Sequence, residues 1–301
     1  MVIQIRREVS VIDGIDSKVN NVGHPPNGGL EELEIELLLE GIYRQYGCDF
    51  RNYSFSSIQR RIWHRIKTEK LESITALLNR VLHDPLMMEK LYLDFSINVT
   101  EMFRDPTFFR SIRQKVLPQL RDLPSIRIWH AGCSTGEEAF SMAILLHEEG
   151  LLDKTRIYAT DMNNQVLKQA KKGCFPLQKM KGYTSNYVHS DGINDFSEYY
   201  FVWENQAVFN PALSKNIVFA QHNLVTDGSF NEFHLIVCRN VLIYFNRELQ
   251  SRVHQLFLDS LAFDGFLALG NREGLSFPSN ELCYQSFDDD ERIYRRMRGG
   301  K

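Results

Sequence analysis

Ile126-Arg127-Ile128-Trp129-His130-Ala131, running into Gly132-Cys133-Ser134-Thr135-Gly136-Glu137-Glu138, decides how this chain folds. The first part is a short β-rich run. The glycine turn after it brings backbone N–H groups close to a ligand before the chain enters a helix predicted over 136–147. Downstream the same alternation repeats. Arg156–Ala159 reads as a strand, 163–172 as a helix, and Ile217–Ala220 and Phe233–Cys238 as strands. A helix over Arg247–Leu261 and a strand over Phe266–Leu269 follow, and Glu291–Arg296 is polar enough to be a final edge strand. This βαβ order calls for a mostly parallel sheet covered by helices. Between Gly173 and Gln221 it lapses into aromatic-rich sequence (Phe196, Tyr199, Tyr200, Phe201, Trp203), which reads as an insertion with a small β element at about 185–216.

Upstream the grammar is different. Leu33, Leu37 and Leu38, then Ile58, Ile62 and Ile66, then Ile74, Leu77, Leu78 and Val81 recur at helical spacing. Asp84-Pro85 supplies a cap and a first-position proline for a fourth helix. The expected organisation is therefore a flexible extension over 1–29, an all-helical domain over 30–123 and an α/β sheet domain over 124–301.

Composition narrows the class. In 301 residues, 43% hydrophobic and 24% charged is the profile of a folded globular chain. Lys+Arg 35 against Asp+Glu 38 leaves a net charge of −3, which argues against a nucleic-acid coat. Five scattered cysteines without a C-x-x-C pair, and nine histidines without metal spacing, encode no local metal site and suit a reduced, cytoplasmic protein. The start of the chain does not read as a secretory signal, and no membrane span is expected.

Four polar segments interrupt the apolar strands where open α/β sheets bind ligands. After β-rich 126–131, the spacing is G-x-x-x-G with two acids, not the G-x-G-x-x-G of a dinucleotide site. Two carboxylates repel a pyrophosphate and suit a ligand bearing an ammonium or sulfonium charge; alternatively they only stabilise the helix N-terminus. Asp161 ends the second strand, where a carboxylate can accept from both hydroxyls of a ribose; alternatively it is a helix cap. Arg239-Asn240 ends the fourth core strand, and Asn98–Pro106 joins the two domains with an arginine, Arg104.

Taken together, Asn98-Val99-Thr100-Glu101-Met102-Phe103-Arg104, Cys133–Glu138, Thr160-Asp161-Met162-Asn163 and Cys238-Arg239-Asn240-Val241-Leu242-Ile243-Tyr244-Phe245 resemble the chemotaxis receptor methyltransferases of the CheR type. The likeness runs from about Leu33 to Arg296 and keeps the order of all motifs. Ala139-Phe140 and Asp161-Met162-Asn163 depart from the commoner Pro-Tyr and Asp-Ile-Asp without removing an assigned charge.

The resemblance implies a small all-helical leader before a Rossmann-like class I methyltransferase sheet, with S-adenosylmethionine as methyl donor and no metal. It implies a protein-glutamate O-methyltransferase that forms glutamyl methyl esters on the cytoplasmic domain of chemoreceptors, and that also binds the product S-adenosylhomocysteine. The enzyme is expected to be monomeric, with no nucleic-acid partner and no membrane insertion. By motif position, Asn98, Thr100, Arg104, Glu138, Asp161, Asn223, Leu224, Arg239 and Asn240 bind the cofactor, and Arg104 and Tyr244 sit beside the reacting methyl. Spacing from Arg104 favours Glu138 over Glu137. A glutamate is already ionised near neutral pH, so the acceptor needs orientation and desolvation, not a general base. An arginine can hold a carboxylate bidentately and a phenol can orient it.

Two readings compete: a scaffold that binds the cofactor without turnover, and a nicotinamide oxidoreductase. Retention of Arg104 with Tyr244 counts against the first, and the missing dinucleotide glycines count against the second.

One charge cluster stands apart from these motifs. Residues 51–70 hold Arg51, Arg60, Arg61, Arg65, Lys67 and Lys70 against Glu69, a local charge of 6 − 1 = +5. In the related enzymes a basic helix of this domain docks glutamate-rich receptor helices, which implies a docking face of Arg60, Arg61, His64 and Arg65, with Lys67 flanking it.

Overall fold

The structure is a computed structural model that describes residues 29–96, 99–275 and 283–298. The extension expected over 1–29 and the cofactor residue Asn98 therefore lie outside the described residues, Gly29 excepted.

Four helices come first: α1 (Gly29–Tyr46), α2 (Phe55–Glu69), α3 (Ile74–His83) and α4 (Pro85–Phe95). Their apolar stripes meet in one core. Ile58, Ile62 and Ile66 of α2 pack with Leu38 and Ile42 of α1, Leu77 and Val81 of α3, and Leu91 and Phe95 of α4. The Asp84 side chain accepts from the Leu86 N–H at 3.0 Å, so the cap and the proline after it start α4 as the sequence indicates.

The second unit is a seven-stranded sheet. Its strands are β1 (Ile126–Ala131), β2 (Thr155–Asp161), β6 (Ile217–Gln221), β7 (Phe233–Cys238), β8 (Leu261–Leu269), β9 (Tyr284–Asp288) and β10 (Ile293–Arg296). The spatial order is β6-β2-β1-β7-β8-β10-β9, parallel from β6 to β8 and antiparallel beyond. Helices α7 (Glu137–Glu148), α8 (Asn164–Ala170) and α11 (Arg247–Ser260) connect its strands. The chain winds outward from β1 to β6 and then restarts at β7 on the other side of β1. That reversal opens a crevice at the carboxyl ends of β1 and β7.

Three expectations change. The helices after the junction, α5 (Pro106–Ser111) and α6 (Leu117–Leu120) with a π turn at Ile112–Val116 between them, do not belong to the helical core. Phe108, Phe109, Ile112, Val116, Leu117 and Leu120 pack with Ile126, Ile128 and Leu145 of the sheet unit. The seam between the two cores thus falls between Phe95 and Met102, and not at 123. The insertion starts earlier than 185. Its sheet, order β3-β5-β4, is β3 (Cys174–Pro176), β4 (Tyr200–Trp203) and β5 (Gln206–Phe209), with α9 (Met180–His189) inside it and α10 (Pro211–Ser214) after it. Finally, the arginine-rich β10 lies inside the sheet and β9 is the edge. Ile293 is fully buried, while Arg295 pairs with Asp264 and Arg296 lies 4.3 Å over the Phe263 ring, so the basic stems cover sheet surface while their charges reach the margin.

The helical unit is stitched to the sheet beside the crevice. Tyr53 and Phe245 form an antiparallel bridge, the Ser54 N–H donates to the Tyr244 carbonyl at 2.7 Å, and Asn246 donates to Asn52 at 2.9 Å. Tyr92 of α4 donates to the Met162 carbonyl at 2.9 Å. Among the described residues no helix is long and apolar enough to cross a membrane.

Candidate active site

The crevice is a cleft of about 920 Å3, open water at its mouth included. It gathers every described residue to which the resemblance assigns a role beside cofactor or methyl: Thr100, Arg104, Glu138, Asp161, Asn223, Leu224, Arg239, Asn240 and Tyr244. Tyr53, Phe95 and Ser96 from the helical unit form one wall, and Ser134, Met162 and His222 complete the lining. Ser134 and Met162 belong to quoted motifs, whereas Tyr53, Phe95, Ser96 and His222 carry no signal in the sequence. Tyr53 and Phe95 are invisible there because they sit in helical-unit segments whose apolar residues otherwise fill that unit's own core.

The floor is the turn after β1. Gly132 takes φ +83, and a Cβ there would stand 2.5 Å from Val241 Cγ2, so only glycine lets this turn touch the turn after β7. Ser134 follows at φ +52. The two acids after Gly136 part company. Glu137 is buried away from the cleft, accepting from Thr135 Oγ1 at 2.6 Å and from the Tyr183 hydroxyl at 3.3 Å. Burial raises its pKa against those bonds. Glu138 faces the cleft, with Oε1 2.9 Å from His130 Nδ1 and Oε2 accepting from Arg239 Nη1 at 3.0 Å. Burial works to raise its pKa, but the His130 bond and the Arg239 charge outweigh it and hold the carboxyl below its usual value.

Arg239 lines the same cleft, yet its side chain is 1% exposed and its guanidinium is engaged. Besides Glu138 it bonds Asp105 Oδ2 at 2.5 Å and the Arg104 carbonyl at 3.2 Å, and it lies 4.0 Å over the Phe108 ring. Arg239, expected to bind the cofactor, thus braces Glu138 and the Arg104 segment from the cleft wall.

Arg104 is its opposite. Among the described residues it donates only to the Val99 carbonyl, at 3.2 Å. It is flanked by Phe103 at φ +50 and Asp105 at φ +55, two non-glycine residues in the left-handed region. Phe103 is locked there by the Ser141 hydroxyl, which accepts its N–H at 2.9 Å, and by rings of Phe109, Tyr187 and Phe196. Ser134 and Asn240 (φ +60) line the cleft, so with Phe103 and Asp105 beside Arg104 four of the nine left-handed non-glycine residues among the described ones lie in or next to it, as backbone strain does at ligand sites.

Asp161 accepts backbone N–H groups of Ser134 and Asn163, each at 2.9 Å, and is 8% exposed. Burial raises its pKa more than those bonds lower it. The cap of α8 is Asn163, whose side chain accepts the Gln165 N–H, so Asp161 is not the helix cap; its two oxygens each take one backbone N–H and keep lone pairs free toward the cleft. The Ser134 hydroxyl beside it is buried and has no partner among the described residues. Asn223 closes its own turn, its side chain accepting from the Val225 N–H at 3.0 Å, which shapes the loop at Leu224.

At the mouth, the loop after β7 carries Tyr244 beneath α2, with the Arg61 guanidinium 5.3 Å over its ring. Arg61 is half-buried and donates to Ser57, and burial lowers its pKa. The expected docking face is thus only partly present. Arg65 is locked by a bidentate pair to Asp94 (2.7 and 2.9 Å) and by Glu69 at 3.1 Å, so it offers no free charge. Arg60, His64 and Lys67 are the exposed basic residues of this helix.

The chain matches the family described as CheR methyltransferase, SAM binding domain, over residues 98–291, and the CheR methyltransferase all-alpha domain over 33–96. A Pseudomonas putida protein named methyltransferase Cher3 is 48% identical over 265 residues, spanning 88% of this chain and 97% of that one. The chemotaxis protein methyltransferase of Listeria monocytogenes is 29% identical over 241 residues, 79% of this chain and 89% of its own. The protein of the same name from Borreliella burgdorferi is 28% identical over 262 residues, 82% of this chain and 90% of its own.

Proposed function

The chain belongs to the CheR family of S-adenosylmethionine-dependent methyltransferases, and on that premise we propose that it methylates glutamate side chains of chemoreceptor cytoplasmic domains to form glutamyl methyl esters. The observation that carries this reading is Arg104: among the described residues it has one backbone partner and no ion pair, and it lines the same cleft as Glu138 and Asp161.

The cleft fits the donor. Asp161 is a buried carboxylate still short of hydrogen-bond donors, suited to ribose hydroxyls, and Ser134 Oγ is a buried polar atom with no partner among the described residues. Glu138 and Asp161 keep that end of the cleft acidic, which suits a cationic ligand. When bound, S-adenosylmethionine supplies a methyl group on a sulfonium, open to displacement by a carboxylate oxygen. The protein's own part is orientation and dehydration. Arg104 grips the acceptor carboxylate, Tyr244 adds a hydroxyl, and the helical wall of Tyr53 and Phe95 excludes water. No proton has to move, because the acceptor reacts as its anion and stays unprotonated as an ester.

The same geometry bears on the acceptor's approach. Arg60, His64 and Lys67 line the exposed side of α2, and Arg61 bridges from α2 to Tyr244. An acidic helix steered onto this face would bring a glutamate past Arg61 to Arg104.

The experiment is methyl transfer from methyl-labelled S-adenosylmethionine to a receptor cytoplasmic domain, with peptide mapping. The expected label sits on glutamate and leaves as methanol in mild base, as an ester must. Base-stable label on a nitrogen, or cofactor binding with no label on any receptor domain, overturns the reading and leaves the non-catalytic scaffold.

A further inference from the structure

Parallel neighbours in a sheet end side by side, so the turn after β8 lies against the turn after β7. Glu273 occupies the first of these turns and is 7% exposed. Its carboxylate receives four backbone N–H groups. Oε2 accepts from Gly270 at 2.7 Å and Asn240 at 3.0 Å, and Oε1 accepts from Val241 at 2.9 Å and Ile243 at 3.3 Å. Three of the four donors belong to the loop that carries Asn240 and Tyr244 into the cleft. Among the described residues no cation offsets this charge; burial raises the pKa and the backbone N–H groups alone oppose it. The fit is close: a Cβ on Gly270 would lie 2.6 Å from Glu273 Oε2 and 2.9 Å from the Asn240 nitrogen.

A buried carboxylate that meets backbone N–H groups, three of the four from a neighbouring loop, ties that loop to its own turn. It also supports Asn240 at φ +60, a conformation that a free loop would leave. We propose that Glu273 is a positioning residue for methyl transfer: it fixes the 240–243 backbone, and so the side chains of Asn240 and Tyr244, without lining the cleft itself. The proposal rests on the functional reading above.

Glu273→Gln tests it in the full chain. Either orientation of the amide sets an NH2 group against two N–H donors, so the clamp fails while the volume stays. The expected result is a fall in kcat of about a hundredfold, as for a misplaced reacting group. The affinity for S-adenosylhomocysteine by calorimetry, which reads the displaced Asn240, should weaken by about tenfold at most, less than the rate. Hydrogen exchange of amides 240–243 should rise while that of the turn after β1 does not. Wild-type kcat with unchanged exchange overturns the proposal. So does a proportional loss of melting temperature, ligand affinity and rate, which would make Glu273 a general stabiliser. Should the glutamine variant fail to fold, Gly270→Ala displaces the carboxylate without removing it and is read by the same criteria; if neither folds, the positioning role is rejected. A wild-type protein that neither binds S-adenosylhomocysteine nor transfers methyl is a failure of the functional reading, recorded before any variant is compared.

Discussion

Helix α2 carries Arg61 and Arg65 beside the exposed Arg60, the sheet-edge cleft carries Arg104 and Arg239, and in each of these two pairs the arginines have opposite fates. Arg65 is tied to Asp94 and Glu69, as Arg239 is tied to Glu138 and Asp105. Arg61 donates to Ser57 and Arg104 to the Val99 carbonyl, both neutral partners that leave donors over. The difference teaches which arginine can receive a ligand carboxylate. A locked guanidinium would have to abandon a paired, partly buried anion, and the anion left behind would cost more than the new contact returns. A guanidinium resting on a carbonyl gives up little. We therefore propose that ligand recognition belongs to Arg61 and Arg104, and architecture to Arg65 and Arg239.

The strongest way to break that division is Arg239→Ala. It strips a buried cation from two carboxylates, so stability should fall by about 3–5 kcal/mol in urea unfolding. Arg104→Ala, by contrast, should change stability by less than about 0.5 kcal/mol, because the half-buried Arg104 has no ion pair among the described residues. Equal losses in the two variants would erase the distinction.

Turnover should divide the other way. Arg104→Ala is expected to lower methyl transfer by about 10²–10³-fold, the usual loss when a group that orients reacting charge is removed. Its affinity for S-adenosylhomocysteine should move by only about threefold. If rate and affinity fall together, Arg104 holds the cofactor and another group clamps the acceptor.

Arg65→Ala sharpens the comparison within α2. Removing the bidentate partner of Asp94 should cost about 1.5–3 kcal/mol of stability, the range for hydrogen bonds to charged groups. The KM for receptor should not change at temperatures where the variant is folded. A rise in KM without a stability loss would return Arg65 to the docking face.

Asp161 gives a smaller effect that depends on pH. Burial raises its pKa in the free protein, and hydroxyl donors from a bound ribose would favour the ionised form and lower it. Binding then releases a proton, so S-adenosylhomocysteine affinity should weaken as pH falls through the raised pKa, by up to about tenfold per unit. Asp161→Asn should bind weakly with a flat profile over the same range. A wild-type profile that is already flat would mean that the ligand does not touch this carboxylate.

Much of this was legible in the sequence because it depends on local chemistry. A glycine turn between a β-rich run and a helix, and acids at its end, fix the floor of the cleft wherever the rest of the chain goes. The fate of each arginine is not local. Arg65 meets Asp94 from 29 residues away and Arg239 meets Asp105 from 134 residues away, and helical periodicity does not reveal either partner. The same blindness placed α5 and α6 with the wrong core: a 3.6-residue stripe marks an apolar face but not which core receives it. It also made β10 an edge, because arginine stems that cover sheet surface look like solvent-facing charge. Glu273 escaped notice because one acid after an apolar strand carries no signal until β7 and β8 are known to be neighbours.

The smallest expected effect separates the outer face of α2 from the residues beneath it. Arg60 and Lys67 are exposed and have no ion-pair partner among the described residues, so they act on a partner only through water and across some distance. Each such charge contributes about 0.2–1 kcal/mol. The double reversal Arg60→Glu with Lys67→Glu should therefore raise the KM for receptor severalfold, from slower encounter, and leave kcat and S-adenosylhomocysteine affinity as they were. The gap between variant and wild type should close as salt shortens the Debye length to a few ångströms near 1 M. Arg61→Ala should behave otherwise, because its guanidinium stands over the Tyr244 ring inside the mouth. There salt screens little, and the loss should persist at high salt and appear partly in kcat. If the double reversal and Arg61→Ala respond to salt alike, the outer face and the mouth form one surface, and the half-buried arginine has no role of its own.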